Sequence, residues 1–158
     1  YDPNLRKPLL KDPNICREQM LWGLSMADVV KISDEEVEFL FGLGAEDGAE
    51  HILRNYGVKL VFVTCGADGC YFKNEKAAGK VPALSDITVK DTTGAGDIFG
   101  GSAVWKILQY QKGPQELSFE ELNEIVTFAC TAAGLSTTMS GGISSVPEYD
   151  AVIERIHS

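Results

Sequence analysis

The sequence predicts an α/β fold, a three-layer sandwich on a mostly parallel sheet, and three observations carry that expectation. Short apolar segments alternate with amphipathic ones along the chain. KLVFVTC, residues 59–65, is an almost continuous β-branched and apolar run, the pattern of a strand buried on both faces. Two glycine-rich turns, at residues 64–69 and 91–97, each follow a predicted strand. Ligands in such folds bind beyond the carboxyl ends of the strands, so both turns are expected on one edge.

The elements are expected in the following order. ICREQMLWGLSMA, residues 15–27, carries Ile15, Met20, Leu21 and Leu24 as a helical stripe. DVVKI, residues 28–32, is a short buried strand. SDEEVEFLFG opens on a Ser and Asp capping signal and puts Val37, Leu40 and Phe41 on one helical face. GLGAEDG, residues 42–48, reads as a helix end and loop, and EDGAEHILRNYG as a helix closed by Gly57. After the KLVFVTC strand, CYFK and KAAGKVPA form a hairpin about Asn74 and Glu75. SDITVK, residues 85–90, alternates like a strand and leads into DTTGAGD, residues 91–97. A helix runs from Asp97 to about Tyr110, and a loop follows at Gly113 and Pro114. Another helix opens on the SFEE capping box at Ser118–Glu121 and continues through FACTAAGL. Pro147 is expected in the first turn of a last helix, EYDAVIERI.

Composition narrows the function. At 158 residues with 44% hydrophobic and 23% charged residues, the chain suits one globular domain. Its net charge of −9 argues against nucleic-acid and anionic-membrane partners, which need surplus Lys and Arg. An anionic small molecule stays open, because backbone N–H groups and metal ions hold phosphate without a basic protein. Cys16, Cys65, Cys70 and Cys130 form no CxxC pair, and His51 and His157 stand far apart, so no zinc spacing exists. Small thiols in apolar surroundings, without a signal peptide or a bilayer-length apolar run, predict a cytoplasmic protein.

Within DTTGAGD, a helix beginning at Gly94, Ala95 and Gly96 would converge free N–H groups and a positive helix end on one point. Asp97 beside it could take a proton from a hydroxyl, the arrangement for phosphoryl transfer to an alcohol. An Asp that only caps a helix would give the same spacing.

DTTGAGDIFGG resembles the signature of the ribokinase-like PfkB family of sugar kinases, and other segments agree in order: YDPNLR, VVKISDEEVEFLFG, VFVTCGADG and STTMSGGISSVP. DPNLR with KISDEE looks most like its bacterial fructokinases. The resemblance implies ATP, Mg²⁺ and K⁺ as cofactors, a sugar as substrate and Asp97 as base, with Gly94, Ala95 and Gly96 forming the anion hole. It puts Thr64, Gly66 and Gly69 along the ATP phosphates and Cys130, in place of a frequent Asn, near adenine. Glu36 would organise Mg²⁺ through water, with Ser33 standing where Asn is usual. A monovalent cation would be held by the Asp91 carboxylate, the Ser145 hydroxyl and the carbonyls of Thr93, Ser136, Met139 and Gly141. Asn4 and Arg6 would contact the sugar or a phosphate.

The resemblance spans residues 1–158 and corresponds to the C-terminal, ATP-binding part of such a domain. The part supplying most sugar contacts and the lid is not among these residues. A fructokinase is the first expectation. A kinase for ribose, 2-keto-3-deoxygluconate or adenosine, or a nucleotide-binding fragment inactive alone, is the alternative. Exposed strand edges and apolar faces would favour a homodimer.

Overall fold

The computed structural model describes residues 1–6 and 12–158. Its first helix, α1 (Pro13–Ser25), starts where Asp12 accepts the N–H groups of Asn14 and Ile15. Met20 and Leu24 of the expected stripe are buried, whereas Ile15 is 58% exposed and belongs to a different face. Strand β1 (Val29–Ser33) passes directly into α2 (Asp34–Phe41), and α3 (Ala45–Tyr56) follows. Ser33 caps α2 through a full capping box with Glu36, and Gly42 and Gly57 close α2 and α3 as expected.

Strand β2 (Leu60–Thr64) pairs parallel to β1, with Val29 opposite Leu60. β3 (Cys70–Asn74) returns antiparallel to β2, and β4 (Ala78–Val81) returns again. The α/β class therefore stands, but among the described residues the four strands, in the order β1-β2-β3-β4, make a mixed sheet with one parallel pair. The cause is local: only a turn of 3₁₀ helix, Gly66–Asp68, separates β2 from β3, too little chain for a parallel crossover.

The layers follow from alternation along the strands. Val30, Ile32, Val61 and Val63 pack beneath α1, α2 and α3. Leu60, Phe62, Cys70 and Phe72 face the opposite layer of α4 (Ala95–Gln109) and α5 (Phe119–Ser136). Ser118 caps α5 through the predicted box with Glu121. A last helix, α6 (Tyr149–Ile156), packs Val152 against Phe128 and Ala132. Pro147 lies ahead of its cap residue, Glu148, and so outside the helix where the sequence suggested it.

SDITVK is not a strand. Lys90 and Asp91 send their N–H groups to the Thr137 carbonyl at the end of α5, at 2.7 and 3.1 Å. The alternation in this segment reflects Ile87 and Val89 lining a cavity rather than a sheet. All four cysteines are free thiols. Among the described residues, no helix is long and apolar enough to cross a membrane.

Asn74, buried, binds the hairpin to the α4–α5 connection. Its amide nitrogen donates to the carbonyls of Pro114 and Leu117 at 3.0 and 2.9 Å. Its oxygen accepts from the N–H groups of Lys76 and Ala77 at 2.9 and 2.8 Å. Asn74→Ala leaves these backbone groups without their partner and should cost roughly 1–3 kcal/mol. Urea unfolding checks this as a lower midpoint at an unchanged slope.

Candidate active site

DTTGAGD is shaped by one carboxylate. Asp91 accepts the Thr93 N–H at 2.9 Å on one oxygen and the Gly141 N–H at 3.0 Å on the other. Hydrogen bonds from the Thr93 side chain and from the Gly141 and Thr93 N–H groups hold its pKa down to about 2. Asp91 is therefore an anion at every ordinary pH, fixing the turn to the loop beyond α5. Gly94 then takes a left-handed φ of 80°, as α4 begins. A Cβ there would stand 3.3 Å from the Cα of Gly142, so the residue serves both a backbone angle and a close approach.

The N–H groups expected to converge at this helix start are not all open. Ala95 donates to the Thr92 carbonyl at 3.2 Å, because the turn closes on itself before the helix begins. Gly96 and Asp97 belong to the first turn of α4, where no intrahelical acceptor lies upstream. The N–H groups of these two have no acceptor inside the helix.

α4's first turn is a wall between two cavities. On one side lies a space of about 630 Å³ lined by Arg6, Gly94, Asp97, Trp105, Phe128 and Tyr149, among others. On the other lies one of about 460 Å³ whose lining includes Thr64, Gly66, Gly69, Ala95, Gly96 and Cys130. Both predicted turns thus meet at one edge. The candidate base faces the first space, and the two glycine-rich segments bound the second.

Gly69, at φ 90°, is pressed onto the backbone of Val81 and Pro82 so closely that any Cβ would overlap it. Thr64 ends β2, and its hydroxyl reaches the Ile32 carbonyl at 3.5 Å. Burial pushes the Cys130 thiol up to about 12, so it is a neutral wall of the cavity. Asn4, at φ 49°, lines neither cavity, whereas Arg6 reaches the Asp97 side.

Ser33 and Glu36 also lie outside both linings. The buried Glu36 carboxylate accepts the Leu5 N–H at 2.5 Å and the Ser33 N–H at 2.8 Å. It pins the DPNLR loop to the start of α2. Each carboxylate oxygen keeps a further acceptor site, which suits contact with a metal through water.

Of the residues expected around a monovalent cation, Thr93 and Gly141 bond to Asp91. Met139 donates its N–H to the Ser136 carbonyl at 3.2 Å, and the Ser145 hydroxyl donates to the Gly142 carbonyl at 2.8 Å. Gly141 presents its N–H to Asp91, an additional role beside the carbonyl expected of it. An ionised carboxylate, a buried hydroxyl and carbonyl oxygens are a donor set that fits a hard cation.

Comparison with known proteins gives this geometry a context. The pattern of the pfkB family carbohydrate kinases matches residues 1–149. The chain belongs to that family. This PfkB chain is 37% identical over 148 residues to fructokinase-2 of Solanum lycopersicum, covering 93% of the chain and 44% of the relative. It is 37% identical over 158 residues to fructokinase-1 of Zea mays, covering 99% of the chain and 48% of the relative. Among solved structures, the Vibrio cholerae O395 fructokinase bound to fructose, ADP and calcium superposes with a TM-score of 0.84 at 29% identity. That match covers 98% of this chain and 49% of the other. The PfkB chain thus spans about half the length of these relatives, and its fold is ribokinase-like.

One residue of this PfkB chain escaped sequence reasoning. The ammonium of Lys31 lies against Gly96, 2.9 Å from where a Cβ would stand, and pairs with Asp2 at 3.2 Å. The signal was a lone cation inside the apolar strand VVKIS. Two of the glycines bordering the second cavity, Gly69 and Gly96, should respond differently. Gly69→Ala meets rigid backbone and should lower the melting temperature, whereas Gly96→Ala meets only the end of a lysine chain. For Gly96→Ala, calorimetry should find unchanged stability and weaker nucleotide binding.

Proposed function

We propose that this chain is the nucleotide-binding and catalytic half of an ATP-dependent sugar kinase, with fructose as the sugar. What carries the reading is the single turn of α4 that separates a cavity containing Asp97 from one bounded by Gly66, Gly69 and Gly96. Similarity to fructokinases, one of them bound to fructose and ADP, supports the choice of substrates.

In this reading the sugar hydroxyl lies on the Asp97 side and donates its hydrogen to that carboxylate. As its oxygen forms the new bond to the γ-phosphorus of ATP, the bond from that phosphorus to the bridging oxygen of ADP breaks. The hydroxyl proton passes to Asp97. Charge developing on the transferred group is met by the Gly94–Gly96 turn, through the N–H groups of Gly96 and Asp97. The Lys31 ammonium adds a positive charge beside Gly96. Arg6 holds the sugar or a phosphate from the far wall, with Asn4 as its neighbour in the DPNLR loop. Thr64, Gly66 and Gly69 follow the phosphates of ATP, Ser33 stands at the β1 end near them, and Cys130 packs near the adenine.

Mg²⁺, when bound, supplies neutralisation of the phosphate charge, and Glu36 would hold it through water. A monovalent cation, K⁺ first, would be held by Asp91, Ser145 and the carbonyls of Thr93, Ser136, Met139 and Gly141. The donors there are oxygens around a fixed negative charge.

A second reading has its own support. This chain by itself encloses a cavity bordered by both glycine-rich turns, so a nucleotide-binding piece without turnover of its own is consistent with the geometry. A coupled ADP-release assay on the whole protein with a panel of sugars and nucleosides separates the two. Sugar-stimulated release, largest with fructose, is expected, and none with any acceptor would sink the kinase reading. Asp97→Asn should keep ATP binding by calorimetry while turnover falls about 10²- to 10⁴-fold. Turnover in K⁺ should exceed that in a bulky organic cation at equal ionic strength, and equal rates would remove the cation from the mechanism.

A further inference from the structure

The second cavity has a wall with little to hold it. Residues 83–89 lie between β4 and DTTGAGD and belong to no helix or strand. They give the cavity Leu84, Ile87 and Val89, to which α5 adds Cys130 and Ala133. This apolar part of the lining continues into the glycine-rich turns, so one space offers a surface for a flat base as well as donors for phosphates. Among the described residues, no N–H group of 83–89 finds a hydrogen-bond partner, and the Ser85 hydroxyl reaches only its neighbour Asp86, at 3.5 Å.

Two adjacent residues fasten the segment. Leu84 sits on Gly134 of α5 so closely that a Cβ on the glycine would come within 2.6 Å of the leucine Cβ. Next to it, a guanidinium nitrogen of Arg155 donates to the Ser85 carbonyl at 3.0 Å, from 70 positions away in sequence. Arg155 stands in the last turn of α6, where a cation ordinarily serves only the negative end of its own helix. Here its fork is divided, one nitrogen donating to the Ser158 hydroxyl at 3.1 Å and the other to Ser85. α6 is itself fixed, because Val152 is buried with Phe128 and Ala132 of α5. The chain from α5 through α6 and Arg155 therefore returns to the cavity that α5 lines.

We propose that Arg155 is a positioning residue for the nucleotide: by holding the Ser85 carbonyl, it keeps Leu84 and Ile87 in place as the surface on which the base packs. Arg155 itself lies outside the cavity lining and acts through the segment. The inference rests on the reading of the second cavity as the nucleotide site. It separates from a purely structural role for Arg155, which would stabilise the fold without distinguishing one substrate from the other.

Calorimetry with ADP on the whole protein tests this. Arg155→Met keeps the length of the side chain and loses its donors. It should raise the ADP dissociation constant about 3- to 10-fold, the worth of one exposed hydrogen bond. Arg155→Lys, with a donor still within reach of the carbonyl, should restore most of that affinity. In turnover, the KM for ATP should rise by the same factor in Arg155→Met, with kcat and the KM for fructose unchanged. Equal ADP affinity in the wild type and Arg155→Met overturns the inference, and so does a KM for fructose that rises in step with that for ATP. A wild-type protein that binds ADP without turning over leaves the calorimetric arm to decide and counts only against the kinase reading. One that binds no ADP removes the nucleotide site and this inference together.

Discussion

The Asp91 carboxylate, gripped by the N–H groups of Thr93 and Gly141, is the contact on which the rest of the site depends. It joins residues fifty positions apart in sequence. Hydrogen bonds to an ionised acceptor are roughly twice as strong as neutral ones. With the turn held in that way, Gly94 can adopt its left-handed angle against Gly142, and α4 starts at a fixed place and direction. The placement of Asp97 on one cavity and of Gly96 on the other is a consequence of where that helix starts.

The frame around the site is held mainly by burial. Each large apolar side chain taken out of water, such as Phe62, Phe72 or Ile32, contributes about 1.5–3 kcal/mol. Exposed ion pairs such as Lys59 with Asp28 contribute about 0–1 kcal/mol each. Polar contacts matter here for position more than for stability. Glu36 ties the DPNLR loop to the cap of α2, Asn74 ties the hairpin to the α4–α5 connection, and Glu124 receives both Lys106 and Tyr110 from α4.

Local chemistry was readable in the sequence wherever a signal and its partner lie within a few residues. The caps at Ser33, Ser118 and Gly57, the strand at Leu60–Thr64 and the helix behind DTTGAGD all have that character. Long-range pairing was not readable. SDITVK alternates as a strand would, but its alternation serves a cavity wall and its backbone is tied to Thr137. The antiparallel return of β3 follows from the shortness of one connection, and Lys31 acquires meaning only once Gly96 is seen beside it. Nor does spacing reveal that Ala95 spends its N–H on Thr92 at the start of the helix.

A wall one helical turn thick has a consequence for substitution. Gly94 and Asp97 look to one cavity while Ala95 and Gly96 look to the other, so neighbouring positions border different spaces. No residue of that turn can change for the benefit of one side without disturbing its neighbour on the other. A change confined to the Asp97 cavity falls instead on its rim, at Arg6, Trp105 and Tyr149, whose side chains border that cavity alone.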